Sequence, residues 1–419
     1  MLCQFTFKNF KSYRDETVFD MQAANIEEFS DSLIPSVCKG FSPVLPVSVI
    51  YGPNAGGKTN AVDALSYLIS RVLMPIRAST DYDHPFGMFL TKYSPFLFDE
   101  TSKEKPAEFE VFFRTQSAQY QYKICVAPNV ILSESLYYVK IPCQRRRSVL
   151  LFDRTENNIV LGAAIKKANI QQVSASIPYL SFLAINFDFP EIQDAISWFK
   201  NSCIISYTVS GKDHRISSLL DEPAIKPIIL DMLSDMDIPL TDYEIRKEDS
   251  DNGDTGMQVF TTHIVGGKTY TLNLVDESEG TIKILSALPA VVLSLASGGL
   301  LLVDELDAKL HPQLLRFLVK MYTNPEINSQ HAQLVFTCHD LSIMKNDLLR
   351  RDEIWFAARN EEDVSELWSL YDLRDEKGER IKNTAAYDKQ YLAGRYGADP
   401  YLNQMMNWRG YDGKETEAT

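Results

Sequence analysis

The 419-residue chain is 45% hydrophobic and 23% charged, enough apolar material for a full core and no signature of global disorder. Its formal net charge of −14 argues against a protein that coats nucleic acid by charge alone, although a local basic patch leaves that contact open. The six cysteines (Cys3, Cys38, Cys125, Cys143, Cys203 and Cys338) are scattered with no CxxC pair, which predicts buried, reduced thiols rather than a disulfide or zinc framework.

Taken in order, Phe5–Phe10 and Thr17–Met21 read as a strand hairpin, and the N-terminus lacks the apolar block of a signal peptide. Val47–Tyr51 is a β-branched run that leads into a glycine-rich loop, and Asn60–Val72 is helix-compatible. From Glu108 to Leu161, alternating apolar residues such as Phe109, Val111 and Phe113 predict an antiparallel sheet beside that loop. Residues 165 to 240 are mostly helical in pattern, with Ile192–Phe199 and Ala224–Met236 the clearest stretches. Glu248–Gly256 reads as an acidic turn, followed by strands at Met257–Val265 and Thr269–Val275. Twenty uncharged residues separate Lys283 from Asp304, long enough to cross a bilayer, but Pro289 and Gly298-Gly299 interrupt them. A buried helix, a turn and a buried strand fit that stretch better, and no membrane contact is expected. Helix and strand then alternate through Pro312–Tyr322, Gln333–Thr337, Ile354–Ala358 and Glu366–Leu370, with no internal repeat and no sustained heptad.

Gly52-Pro53-Asn54-Ala55-Gly56-Gly57-Lys58-Thr59 matches GxxxxGK[ST] in the strand–loop–helix context that this pattern requires. Its glycines let successive N–H groups face phosphates, with Asn60 next in line on the helix. Lys58 is expected to reach the β- and γ-phosphates and Thr59 to ligate Mg²⁺, so ATP and Mg²⁺ are the expected cofactors. Far downstream, Leu300-Leu-Leu-Val-Asp304-Glu305 is an apolar strand ending in two carboxylates, at the edge where α/β sheets bind ligands. Asp304 would serve the Mg²⁺ and Glu305 would polarise an attacking water.

Three further pieces fix the type. Glu277-Ser278-Glu279-Gly280-Thr281 opens the apolar helix where an ABC signature belongs, so Ser278 and Gly280 would cap the γ-phosphate of a nucleotide held by another subunit. Asp307 lies where a D-loop touches the partner, and Leu334–Asp340 is a strand that ends at His339, the place of the switch histidine. Glu305, His339 and Lys58 are therefore the expected catalytic set. Pro289 is expected to kink the signature helix, and no glutamine suits a Q-loop, since Gln116 and Gln119 lie in a strand hairpin.

Together with Lys8-Asn-Phe-Lys-Ser12-Tyr, Tyr93-Ser-Pro-Phe96, Asp304–Pro312 and Tyr391–Pro400, these motifs resemble the standalone ABC/SMC-like ATPases of bacterial phage defence, relatives of OLD and RecF. The RloA-like ATPases and the PARIS ATPase subunit are the nearest in pattern. The resemblance implies an α/β, ABC-type P-loop ATPase head with an antiparallel β subdomain and a helical insertion. It implies three parts: an N-terminal lobe 1–165, a helical insertion 166–255 and a C-terminal lobe 256–419. It also implies a cytoplasmic homodimer, or an oligomer of dimers, that acts as sensor or regulator for a separate nuclease-type effector. The alternative is a RecF/SMC-like repair ATPase that binds DNA; a transporter subunit is disfavoured by the missing Q-loop glutamine. The basic run Gln144-Arg145-Arg146-Arg147 reads as a solvated hairpin tip. Phe10, Tyr13 and Tyr51 are candidates either for adenine stacking or for core packing.

Overall fold

The computed structural model describes residues 1–36, 40–80, 91–128, 130–142, 147–156, 158–168, 172–206, 220, 222–249, 255–375 and 377–398. Cys38, Cys143, Gln144, Arg145, Arg146 and Pro400 lie outside them.

The central sheet contains β3 (Val47–Tyr51), β9 (Cys203–Ser206), β13 (Leu300–Asp304), β14 (Gln333–Thr337), β15 (Ile354–Arg359) and β16 (Ser365–Ser369). Their order is β16-β15-β3-β14-β13-β9, parallel throughout except for the antiparallel edge strand β16. Strands β3, β13 and β14 are buried at every position, as expected of a parallel sheet covered on both faces. The period of two sorts their residues into two cores. Leu300, Leu302 and Val335 face the long helix Lys58–Ser79, whereas Leu301, Val303, Leu334 and Phe336 face the helices Glu279–Ser297 and Pro312–Thr323.

The first core continues into a second, all-antiparallel sheet. It comprises β1 (Leu2–Lys8), β2 (Thr17–Asp20), β4 (Ala107–Arg114), β5 (Ala118–Ala127), β6 (Val130–Lys140), β7 (Val149–Thr155) and β8 (Asn158–Leu161) in the order β2-β1-β4-β5-β6-β7-β8. The helices Tyr179–Asn186 and Pro190–Lys200 complete that layer, stacking Trp198 on Phe113 with ring centroids 4.5 Å apart. A three-stranded sheet of β10 (Asp242–Asp249), β11 (Thr255–Val265) and β12 (Lys268–Asn273) leads into the signature segment.

The apolar stretch after Lys283 is a helix, a glycine turn and strand β13. One helix runs unbroken over Glu279–Ser297 with Pro289 inside it, and Gly298 ends it in the left-handed conformation, φ 67°, donating its N–H to Ser294 O. This helix is long and apolar enough to span a bilayer by composition, but its apolar face packs into the second core. Cys3, Cys203 and Cys338 are buried, and Cys125 is partly buried.

Candidate nucleotide site

Three parallel strands deliver the site. β3, β13 and β14 all end on one edge of the central sheet, so the glycine loop, the Asp304-Glu305 pair and the Thr337–His339 segment converge there. The loop is wedged against its neighbours. Gly52 has φ 150°, and a Cβ at that position would lie 2.0 Å from Ala357 O on β15. Gly57 has φ 113°, and a Cβ there would meet Ser365 Oγ at 2.5 Å on β16.

Lys58, 6% exposed, donates to Gly52 O (2.9 Å) and Pro53 O (3.0 Å) across the mouth of the loop. Burial lowers its pKa, while Asp304, Glu305 and Asp307 pull the other way. Thr59 Oγ1 donates to Asp304 Oδ1 at 3.1 Å, and Thr337 Oγ1 donates to the same oxygen at 2.7 Å. The other carboxylate oxygen, Asp304 Oδ2, is buried without a hydrogen-bond partner. A desolvated carboxylate oxygen beside a threonine hydroxyl and a phosphate-type loop suits Mg²⁺, which keeps several waters and takes few protein ligands. Among the described residues no group of three His, Cys, Asp or Glu side chains is arranged to cage a metal, so phosphate oxygens and water would complete the shell.

Glu305 sits at φ 56°, a conformation that costs a non-glycine residue energy and is therefore held from several directions. Its N–H donates to Thr337 Oγ1 (2.7 Å), the next N–H, of Leu306, donates to Thr337 O (3.2 Å), and its carbonyl accepts from Lys283 Nζ (2.7 Å). Lys283 also donates to Ala308 O at 2.6 Å; burial lowers its pKa to about 8 against the pull of Asp307 and Glu305. Asp307 Oδ2 accepts the backbone N–H groups of His339 and Asp340, both at 2.9 Å, and Asp307 Oδ1 is buried and unpartnered. The exposed His339 ring stands at the rim, its pKa lowered by partial desolvation and then by Lys58.

Ser278 caps the signature helix. Its Oγ accepts from Thr281 N at 3.1 Å, and the residue is exposed. Gly280 is pressed against the turn after β13, where a Cβ would lie 3.2 Å from Lys309 O. The opening motif supports the glycine loop from behind. Ser12 Oγ accepts from Asn60 Nδ2 (2.7 Å) and from Ser365 Oγ (2.8 Å), and Tyr13 OH donates to Gly57 O at 3.3 Å. Asn9 ties that motif to Tyr93–Phe96, accepting from Phe96 N at 3.1 Å. Phe10, Tyr13 and Tyr51 are at most 1% exposed and pack in the cores, so stacking on a base is not open to them here.

The sequence matches the family model described as "AAA domain, putative AbiEii toxin, Type IV TA system" over residues 47–345. The chain belongs to this family. The match runs from β3 past His339, so this AAA domain includes every site element from the glycine loop onward, and the chain has a P-loop ATPase fold. No curated protein matches the sequence. Among solved structures, it is similar to an Smc head bound to the C-winged helix domain of ScpA, with TM-score 0.45, 14% identity, and coverage of 90% of this chain and 98% of that one. The SMC head domain from Thermotoga maritima gives TM-score 0.40 and 13% identity over 88% of this chain and 98% of the other. An Smc head with coiled coil and joint derived from Pyrococcus yayanosii gives 0.40 and 11% over 88% and 97%.

Sequence reasoning passed over two residues of this AAA domain. Thr337 binds both Asp304 and the Glu305 backbone; its signal was a hydroxyl at the end of an otherwise apolar strand. Lys283 was visible as a lone charge on an apolar helix face.

Proposed function

We propose that the chain binds Mg·ATP on Gly52–Asn60 and pairs head to head with a second copy. In that pair Ser278 and Gly280 of each copy cap the γ-phosphate held by the other, with Asp307 at the seam. The observation that carries the reading is the junction of Lys58, Thr59, Asp304 and Glu305 on one sheet edge, together with a signature serine that is exposed in its own chain. Lys58 offsets phosphate charge. Thr59 and, through water, Asp304 would hold Mg²⁺, which when bound neutralises charge on the β- and γ-phosphates. Glu305 orients and polarises the attacking water, and His339 contacts the γ-phosphate.

The family's toxin–antitoxin description and the resemblance to RloA-like, PARIS and OLD/RecF ATPases support a place in anti-phage defence, as a cytoplasmic sensor or regulator with a separate nuclease-type effector. The division into 1–165, 166–255 and 256–419 belongs to the same proposal. The test is phosphate release and light scattering on the purified chain, with ATP and Mg²⁺ and with EDTA. Mg²⁺-dependent turnover and an ATP-dependent doubling of mass are expected; neither appearing sinks the proposal.

A further inference from the structure

Away from the nucleotide loop, the segment after β16 forms a cavity of about 500 Å³ whose wall, among the described residues, carries Arg374, Lys377, Arg380, Lys382 and Arg395 and one carboxylate, Asp375. Five cations around one concavity stand out in a chain of net charge −14. Among the described residues, none of the five forms an ion pair. Asp375 Oδ1 accepts the backbone N–H groups of Lys377 and Glu379, both at 2.9 Å, and so closes the turn, which leaves the cations in excess among the described lining residues.

The backbone brings the like charges together. Arg374 and Arg380 are direct partners across an antiparallel bridge, closed by Gly378 at φ 77°. Like charges directly opposite on paired strands repel, so this pairing concentrates positive charge at one end of the hairpin. Both arginines are exposed, and each has an orienting contact: Arg380 lies 4.0 Å from the Tyr371 ring centroid, and Arg374 donates to Gly378 O at 3.1 Å. On the other side Gln390 lines the cavity and is held by Tyr396, whose OH donates to Gln390 Oε1 at 2.9 Å.

We propose that this cavity is a second anion site, separate from the nucleotide loop, for a compact polyphosphate of nucleotide size. Its volume is that of a small-ligand pocket. A long nucleic acid needs cations spread along a stripe to meet successive phosphates, whereas here they converge on one hollow in an otherwise acidic chain. The proposal does not rest on the ATPase reading.

The experiment uses full-length Lys58→Ala protein, which silences the glycine loop, titrated with inorganic tripolyphosphate by calorimetry. One salt-sensitive site per chain is expected. Lys382→Glu with Arg395→Glu, added to that background, weakens it about tenfold or more. The milder pair Lys377→Gln with Lys382→Gln, checked for an unchanged melting curve, weakens it in the same direction. Absence of tripolyphosphate binding overturns the proposal, as does binding that both pairs leave unchanged. Single-stranded oligothymidylate binding more tightly than tripolyphosphate through the same residues overturns the compact ligand in favour of nucleic acid.

Discussion

Thr337 Oγ1 donates to Asp304 Oδ1 at 2.7 Å while it accepts the Glu305 N–H at 2.7 Å, so one hydroxyl fixes both carboxylate residues of the site. It is fully buried, and nothing else on β14 can replace it. The hydroxyl sets the rotamer that offers Asp304 Oδ2 to the site and holds the backbone turn that aims Glu305.

Thr337→Val keeps the shape and removes the hydroxyl. A buried N–H loses its acceptor and a carboxylate loses a donor, a loss of about 1–3 kcal/mol in stability. Turnover falls about tenfold or more, since catalytic geometry depends on both contacts, while ATP binding persists through Lys58. Thr337→Ser restores turnover. Thermal melts read beside phosphate release check this; a valine variant with wild-type turnover removes Thr337 from the positioning role.

Lys58→Ala removes the ammonium that now satisfies Gly52 O and Pro53 O and that would meet the phosphates. ATP binding or turnover is abolished, because no other described cation sits in the mouth of the loop. Calorimetry and turnover matching wild type would place the nucleotide elsewhere.

Ser278→Arg leaves ATP binding by the single chain intact but blocks dimerisation and turnover, because the exposed signature serine is replaced by bulk and charge. Mixing it with Lys58→Ala protein regenerates one intact composite site per pair, so ATP-dependent association returns. Light scattering on the mixture reads this; unchanged turnover in Ser278→Arg alone puts Ser278 outside the active site.

Glu353 supplies a pH prediction. It is 1% exposed, and burial raises its pKa from 4.5 to about 8 against the opposing Arg350 N–H bond and charge. Between those values the unfolded chain gives up a proton that the folded chain keeps, so this group lowers stability as pH rises from about 4.5 to about 8. Glu353→Gln keeps the acceptor for Arg350 N, which Glu353 Oε2 now binds at 2.8 Å, and removes that titration. Its melting temperature, relative to wild type, rises across that window and is flat below it; an equal shift at every pH contradicts the assignment.

Much of this was legible in the sequence because the relevant patterns are local. The run Val47–Tyr51 before glycines and the block Leu300–Val303 before two carboxylates mark buried strands by their flanks, and the alternation in Phe109–Phe113 marks a strand by its period. What escaped was short or long-range. Cys203–Ser206 lies in a stretch that reads as helical, yet it is the edge strand beside β13; three apolar residues and a serine are too few to show a period that tells strand from helix. Glu248–Gly256, read as a turn or mobile loop, has paired strands at both ends, β10 ending at Asp249 and β11 starting at Thr255, and its residues 250–254 lie outside the described residues. Pro289 lies inside a helix that continues to Ser297. Ser12 and Ser365 are 353 positions apart, and no local signal says that they meet beneath the glycine loop.

Glu305→Gln tests the chemistry and the dimer together. The substitution keeps size and hydrogen-bonding reach, and the backbone contacts that hold Glu305 at φ 56°, from Thr337 and Lys283, do not involve its side chain. The groups assigned to binding (Lys58, Thr59, Asp304, and Ser278 of the second copy) are untouched. Only the negative charge that polarises water is lost, so turnover drops roughly a hundredfold to ten-thousandfold, about 3–5 kcal/mol of barrier. The variant therefore binds Mg·ATP, closes the pair and stays closed. Light scattering after chromatography shows a larger ATP-dependent species than wild type, which disappears when Ser278→Arg is added. Near-normal turnover moves the catalytic role to Asp307 or His339. Turnover lost with no ATP-dependent trapping counts against the head-to-head pair and places hydrolysis within one chain.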